Sequence, residues 1–309
     1  MNNHVVDVVR GTDSNGYLVM QTDATYGESV FDTSWHNTYG KLTSISGNNF
    51  TVVSGSSNGG FNTNSVTYVG WGWDAGSSTV TNTQGSITST VRANATAGFS
   101  IVSYTGTGSG SDTVGHGLGV APSLIFCKTR AAAVQWVVYH KSLGKDYFLG
   151  LNTTDAANNT SNYWGSGGVT STVFGLQNVA GGNNNGSMIA YCFAPVVGYS
   201  SMGSYVGNGS STNGPFVYTG FRPRFILTKA TDSALDWNVF DAARDSYNSV
   251  NKVLFPNLSN QESDYIAYTP FDFVSNGFKL RSSIVWNASS TTYIYAAFAE
   301  APFNYSRAR

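Results

Sequence analysis

One apolar stretch occurs three times in the chain, and this repetition constrains the fold more than any other feature. The copies read SVTYVGWGWDAG from Ser65, GSMIAYCFAP from Gly186 and TTYIYAAFAEAP from Thr291. Each is rich in aromatic and aliphatic residues on both faces, which is typical of a strand covered on both sides. We therefore interpret the stretch as the central strand of a structural repeat.

Aligning the three copies places a large ring in one column and a small residue in the column before it. The rings are Trp73, Phe193 and Phe298, and the small residues are Gly72, Cys192 and Ala297. Such alternation allows close packing and is typical of a core. Because the repeat does not require Cys192, nor Cys127, which aligns with Thr228, we expect two free buried thiols rather than a disulfide.

A second set of motifs fixes the register of the duplication. The stretches YTGTG, APSLIFCKTR and WVVYHKSLG, which start at Tyr104, Ala121 and Trp136, return 101 residues later as YVGNG, RPRFILTKAT and WNVFDAARD. A constant offset over three motifs indicates a duplicated unit. The first copy lacks this opening, because it starts with HVVDVVRG at His4, which matches NVFDAARD at Asn238.

These motifs divide the chain into four parts. They are an incomplete first repeat at 1–76, a Ser/Thr-rich linker with one edge strand at 77–97, a second repeat at 98–198 and a third at 199–309. In the third repeat we predict strands at 202–207, 214–219, 224–229, 236–241, 252–256, 271–280 (a hairpin around SNG) and 293–299. The predicted fold is all-β, with tandem antiparallel β-sandwich repeats of which the first is incomplete. The one helical candidate is a single turn at DAARDS.

The charge pattern excludes several classes of partner. Charged residues make up 11% of the chain, against about 25% in ordinary soluble domains. The net charge is −1 and no block of Lys or Arg is present, so we expect no nucleic-acid partner. The sequence also lacks a long uncharged apolar run, and we expect no membrane insertion.

The charged motifs favour structural roles over catalysis. Asp7 and Arg10 recur as Asp241 and Arg244, but the more complete second repeat has His140 and Leu143 there. A reactive pair would be needed in an intact copy, so we predict two structural ion pairs. The one dense acidic run, at 232–245, has no counterpart in the second repeat, and the four His lack metal-binding spacing. We expect no metal, no cofactor and no enzymatic activity.

Four aromatic residues lie in polar segments predicted to be loops. They are Trp35, Tyr163, Trp164 and Trp286, flanked by Asn, Ser and Gly. Exposed rings next to amide and hydroxyl groups could stack on a sugar, which makes these residues candidate glycan-binding sites. In the alternative interpretation each ring closes the end of its own sandwich, because large rings are usually mostly buried.

Five longer stretches carry a family resemblance. They are GFSIVSYTGTG, TVGHGLGVAPSLIFCKTR, WVVYHKSLG, NGPFVYTGFRPRFILTKATDS and TYIYAAFAEAPF, the last followed by a short basic tail ending in Arg309. Together they resemble a repeat family in virion proteins of tailed phages, including phages of marine bacteria and cyanobacteria. The resemblance covers essentially the whole chain and departs from the family pattern at the start.

This resemblance implies a non-enzymatic structural protein of the phage particle. The expected place is a tail fibre or other external appendage that serves host-surface attachment, with assembly in the host cytoplasm. The alternatives are a capsid decoration or fibre protein of the same particle, and a glycan-binding or depolymerase module. The expected partners are other virion proteins and a host-surface glycan.

The incomplete first repeat leaves three possibilities open. An upstream segment could complete it, a neighbouring subunit could supply the strands, or the repeat could adopt a reduced fold. We favour the second, because strand addition satisfies backbone groups and buries apolar area together. The chain is therefore expected to be a homo-oligomer, or to dock on another protein, through residues before Gly76.

Overall fold

The computed structural model describes residues 2–14, 16–47, 49–57, 60–178 and 181–300. Within these residues the sheets are antiparallel and helix is confined to two short elements, which confirms the all-β prediction. The basic tail that ends the chain lies outside the described residues.

The first repeat contains short strands and both helical elements. They are β1 (His4–Val6), β2 (Thr12–Asp13), β3 (Gly16–Tyr17), β4 (Val19–Gln21), a 3₁₀ turn (Glu28–Val30), α1 (Thr33–Tyr39), β5 (Lys41–Ser46) and β6 (Asn49–Val53). β1 pairs with β4, β2 with β3 and β5 with β6. Asp32 caps α1 by accepting a hydrogen bond from the Trp35 backbone nitrogen at 2.9 Å.

The helix predictions were wrong at two places. Trp35 lies in α1 rather than in a loop. The Asp32 side chain stabilises the amino-terminal end of this seven-residue helix. The stretch DAARDS forms a non-helical turn after a strand. There the Asp241 carboxylate accepts hydrogen bonds from the backbone nitrogens of Ala243 and Arg244, which fixes a turn instead of starting a helix.

The second repeat forms a large sheet and a small one. Its strands are β7 (Thr79–Asn82), β8 (Ser89–Asn94), β9 (Phe99–Gly106), β10 (Thr113–Gly115), β11 (Leu124–Thr129), β12 (Val137–His140), β13 (Tyr147–Gly150), β14 (Asn158–Asn159), β15 (Val173–Gly175) and β16 (Gly186–Phe193). The large sheet has the order β14-β13-β12-β11-β16-β9-β8-β7, and β10 pairs with β15 in the small sheet.

Residues 77–97 are therefore not a linker. They supply two strands rather than one, and β8 pairs with β9 along its whole length, from Ser89 opposite Tyr104 to Asn94 opposite Phe99. Ile87 also bridges to Val114 of the small sheet. The polar alternation of this segment reflects strands at the edge of a sheet, where only one face is buried.

The third repeat has the same arrangement around its central strand. Its strands are β17 (Ser200–Val206), β18 (Phe216–Tyr218), β19 (Pro223–Ala230), β20 (Asn238–Asp241), β21 (Lys252–Val253), β22 (Ser263–Asp264), β23 (Phe271–Val274), β24 (Gly277–Leu280) and β25 (Thr292–Ala299). The order β17-β25-β19-β20 matches β9-β16-β11-β12, and β18-β24-β23 form the small sheet. Each predicted strand has a counterpart, and Val274 pairs with Gly277 across the predicted hairpin turn.

The central strands β16 and β25 are buried on both faces, as predicted. One face of each packs inside its own sandwich, through Met188, Ala190 and Cys192 or through Tyr293, Tyr295 and Ala297. The opposite face enters a single cluster, here called the shared core, through Ile189, Tyr191 and Phe193 or through Ile294, Ala296 and Phe298. Met20, Ala75 and Trp73 of the first repeat join this cluster. The shared core thus holds all three repeats together.

Candidate functional site

Three of the four predicted glycan-binding rings are buried. Tyr163, Trp164 and Trp286 are each 3% exposed or less. The Trp164 indole nitrogen donates to the Tyr147 carbonyl at 3.0 Å, and Trp286 packs edge-on against Phe240. Because no ring face reaches the surface, glycan stacking is wrong for these residues. Each of the three rings is instead packed in the core of its own repeat.

Trp35 differs from the other three because part of its surface is exposed. Its ring lies 4.9 Å from Phe31 and 5.3 Å from Tyr39 between centroids, with His4 at 5.6 Å. Trp35 therefore belongs to a local aromatic cluster around α1. Sugar binding by this residue stays a prediction.

The two predicted ion pairs are confirmed and have nearly identical surroundings. Asp7 accepts hydrogen bonds from the Arg10 backbone nitrogen and guanidinium, and Asp241 accepts the same bonds from Arg244. Each arginine also reaches a glutamate 18 residues further on, Glu28 or Glu262, at 2.9 Å. Both pairs fix a turn at the end of a strand.

Burial and charge act in opposite directions on Asp7. Burial alone would raise the pKa of this carboxyl, but the Arg10 guanidinium and the Tyr191 hydroxyl lower the pKa below its ordinary value. The Tyr191 hydroxyl donates to Asp7 at 2.6 Å and belongs to the second repeat. The carboxylate therefore stays ionised and also joins two repeats.

His140 occupies the equivalent position in the second repeat and joins it to the third. Its Nε2 donates to the Tyr295 carbonyl at 3.2 Å, and its Nδ1 accepts from the Ser142 backbone nitrogen at 3.2 Å. These partners select the neutral tautomer protonated on Nε2. Burial lowers the pKa of His140 to about 4, so the ring is neutral at pH 7.

Two buried lysines were missed by sequence reasoning. Lys128 and Lys229 stand 101 residues apart in the motifs KTR and KAT, and both side chains are fully buried. The ammonium of Lys128 donates to the Thr129 and Ala132 carbonyls at 2.9 and 3.1 Å. Lys229 likewise donates to Ala230 at 2.8 Å and also to Thr154 of the second repeat at 3.1 Å. Desolvation lowers both pKa values to about 8.

A cyclic set of hydrogen bonds links the repeats. In each, a side chain that stands just before an equivalent strand (β1, β12 or β20) donates to a carbonyl of another repeat at 2.8 Å. The pairs are Trp136 to Gln21, Trp237 to Gly150 and Asn3 to Phe255. The first joins the second repeat to the first, the next joins the third to the second, and the last joins the first to the third. The three repeats therefore form a closed ring.

The aligned ring column meets in the middle of this arrangement. The centroid of Trp73 lies 5.7 Å from that of Phe193 and 5.6 Å from that of Phe298, and the last two lie 5.8 Å apart. One ring from each repeat thus forms one corner of a nearly equilateral triangle. Positions that align in the sequence are related by an approximate threefold axis through the shared core.

The first repeat departs from this symmetry at its central position. Its predicted central strand, in SVTYVGWGWDAG, is not a strand in the structure. Tyr68 is 47% exposed, whereas the aligned Met188 and Tyr293 are 0% and 2% exposed. The strand prediction was wrong here because a strand requires neighbours. Among the described residues no strand pairs with this segment.

The comparisons with known proteins give a family and no function. A family model described as a domain of unknown function, DUF7483, matches residues 1–302. The chain belongs to the DUF7483 family. This single match spans all three repeats, so the DUF7483 unit corresponds to the whole ring. No curated protein and no solved structure matches the chain.

The described residues contain neither a cluster of metal-binding side chains nor a helix that could span a membrane. No group of three or more His, Cys, Asp or Glu side chains there is arranged to hold a metal ion. No helix in the same part of this DUF7483 chain has the length and apolar character needed to cross a bilayer.

Proposed function

We propose that the chain is a non-enzymatic structural protein of a tailed-phage particle. Its place is a tail fibre or other external appendage that serves host-surface attachment. The observation that supports this function is the shared core, in which β16, β25 and Trp73 lock three repeats into one body. A body held together in this way suits the presentation of loops on the outside of a particle.

The side chains that could act as acids, bases or nucleophiles are bonded or buried within this body. The carboxylates of Asp7 and Asp241 bind neighbouring arginines. Burial raises the pKa of the Cys127 thiol to about 11, so it stays protonated at neutral pH. These assignments favour a structural protein over an enzyme.

The phage assignment itself rests on the motif resemblance. A capsid decoration or fibre protein of the same particle remains the first alternative, because a rigid β body suits either place. A glycan-binding or depolymerase module is the second alternative. The burial of Tyr163, Trp164 and Trp286 removes most of the aromatic surface that favoured it.

The test is localisation on purified particles. An antibody to the chain, carrying gold, should label the tail or its fibres in electron micrographs. Labelling of the capsid surface would favour the decoration protein. Absence of the chain from particles would contradict the virion assignment, and release of sugar from host polysaccharide by the isolated chain would support the depolymerase.

A further inference from the structure

The first repeat contains a segment, residues 67–75, without backbone partners among the described residues. Among the described residues, no backbone nitrogen or carbonyl of residues 67–75 takes part in a hydrogen bond. The aligned strands are paired on both edges, β16 by β9 and β11 and β25 by β17 and β19. These nine successive residues thus have the sequence of a central strand but lack the backbone hydrogen bonds that a central strand makes.

A second unpaired edge belongs to the same gap. Among the described strands β1 pairs with β4 alone, whereas the equivalent β12 pairs with β13 on one edge and with β11 on the other. In the second repeat β11 fills the space between β12 and β16. By the same strand order, the first repeat has no described strand between β1 and residues 67–75. We call this space the slot.

A charged side chain at the third repeat indicates what the slot accepts. Glu28 receives the end of β11, since its carboxylate binds the Arg130 guanidinium at 2.9 Å and its backbone nitrogen donates to the Arg130 carbonyl at 2.8 Å. Glu262 is the equivalent residue of the third repeat, next to where an incoming strand would end. Its side chain is 37% exposed, against 13% for Glu28. A basic residue at the end of the incoming strand would pair with Glu262 Oε1, from which the Lys252 ammonium is 3.9 Å away.

We propose that the slot is filled by strand addition from a different polypeptide. The donor strand is apolar on both faces, like β11, and carries Arg or Lys at its carboxyl end. A second copy of this chain is a poor donor, because β11 and β19 are already paired on both edges. This inference gives the chemistry of the docking that the sequence predicts through residues before Gly76, and the identity of the donor as another virion protein rests on the proposed function.

The first experiment uses a synthetic peptide with the sequence of residues 121–132, carrying Cys127→Thr, and the full 309-residue chain. We expect saturable binding by calorimetry. Hydrogen exchange should be fast at residues 67–75 in the free chain and slower by about tenfold or more with peptide, because pairing protects amides. A peptide of the same composition in scrambled order is the control and should change neither readout.

The charge is tested by a two-by-two comparison. Glu262→Gln in the chain should weaken peptide binding by about fivefold, the size expected for one partly exposed ion pair. The same substitution should leave unchanged the affinity of a peptide that also carries Arg130→Gln. Equal losses for both peptides would show that Glu262 does not contact the incoming strand.

Three results would overturn the proposal. Amides of residues 67–75 that are already protected in the free monomer would mean that the chain fills its own slot. Protection in a homodimer seen by native mass spectrometry would assign the slot to a second copy. Unprotected amides that stay unprotected with peptide would show that no strand is accepted.

The source of the strand is tested in the assembled particle. A photoreactive residue in place of Tyr68 should crosslink to a different polypeptide, and a crosslink within the same chain would contradict the proposed source. The peptide experiments use the isolated chain and do not depend on where it resides. Failure of the virion assignment can therefore be told apart from failure of strand addition.

Discussion

At the residue scale, equivalent positions in the three repeats each contact a neighbouring repeat, but with a different kind of side chain. Asp7 contacts the second repeat through Tyr191, and His140 contacts the third through the Tyr295 carbonyl. In the third repeat Arg244, which Asp241 holds, lies 5.9 Å from the ring centre of Trp71 in the first. The aligned turn thus reaches across a junction in every repeat, by a carboxylate, an imidazole or a guanidinium.

His140 should make the protein less stable in mild acid. Its pKa is about 4 in the folded protein against 6.5 for an ordinary histidine, so the folded state binds fewer protons than the unfolded chain between these values. Stability is therefore lost as the pH falls from about 6.5 toward about 4, and the contribution of this shift is about 3 kcal/mol at most. Urea unfolding at pH 7 and pH 4.5 measures it.

The matched variant for this measurement is His140→Gln, which keeps an amide donor for the Tyr295 carbonyl but cannot titrate. It should reduce the loss of stability between the two pH values by about 3 kcal/mol at most. Part of the loss should remain, since burial also lowers the pKa of His4 to about 4. An identical pH dependence in the variant and the parent would show that His140 is not buried in neutral form.

At the element scale, a substitution in a strand with two buried faces should cost more stability than one in an edge strand. Phe298→Ala removes a ring of β25 from the shared core and should lower the free energy of unfolding by about 3 to 5 kcal/mol. Phe216→Ala removes the same ring from the exposed face of β18 and should cost less than about 1 kcal/mol. Denaturant unfolding of both variants is the measurement. Similar losses would mean that Phe298 is not part of a packed core.

The elements that sequence predicted well are those whose pattern depends only on their own residues. β17 to β21 and β23 to β25 follow from alternation and turn residues, and the burial of both faces of β25 follows from its unbroken apolar run. The segment at 67–75 has the same pattern but is not a strand, because hydrogen-bonding partners do not appear in a local pattern.

The candidate site was less predictable for a similar reason. Asn, Ser and Gly around Trp164 and Trp286 describe a loop backbone, but they do not determine whether a ring points outward or into the sandwich. The slot could be anticipated from the missing opening motifs of the first repeat. The role of its charged end at Glu262 could not, since it is inferred from the contact between the equivalent Glu28 and Arg130 of the second repeat.

At the scale of the whole molecule, the shared core makes the three repeats depend on one another. Each repeat leaves one sheet face or ring that only the others cover, so none retains its packing alone. We expect a single unfolding transition in which circular dichroism and tryptophan fluorescence coincide. Two separated transitions would contradict this.

Residues 199–309 expressed alone should expose the Phe298 face and associate or precipitate.

The two buried lysines lie beside different junctions of the ring, Lys128 near Glu28 of the first repeat and Lys229 against Thr154 of the second. An amine buried this deeply reacts with an acylating reagent only after its junction opens. The rates of modification at Lys128 and Lys229 would therefore report the opening rates of the two junctions separately in one sample. The order of modification tells which neighbour the second repeat releases first.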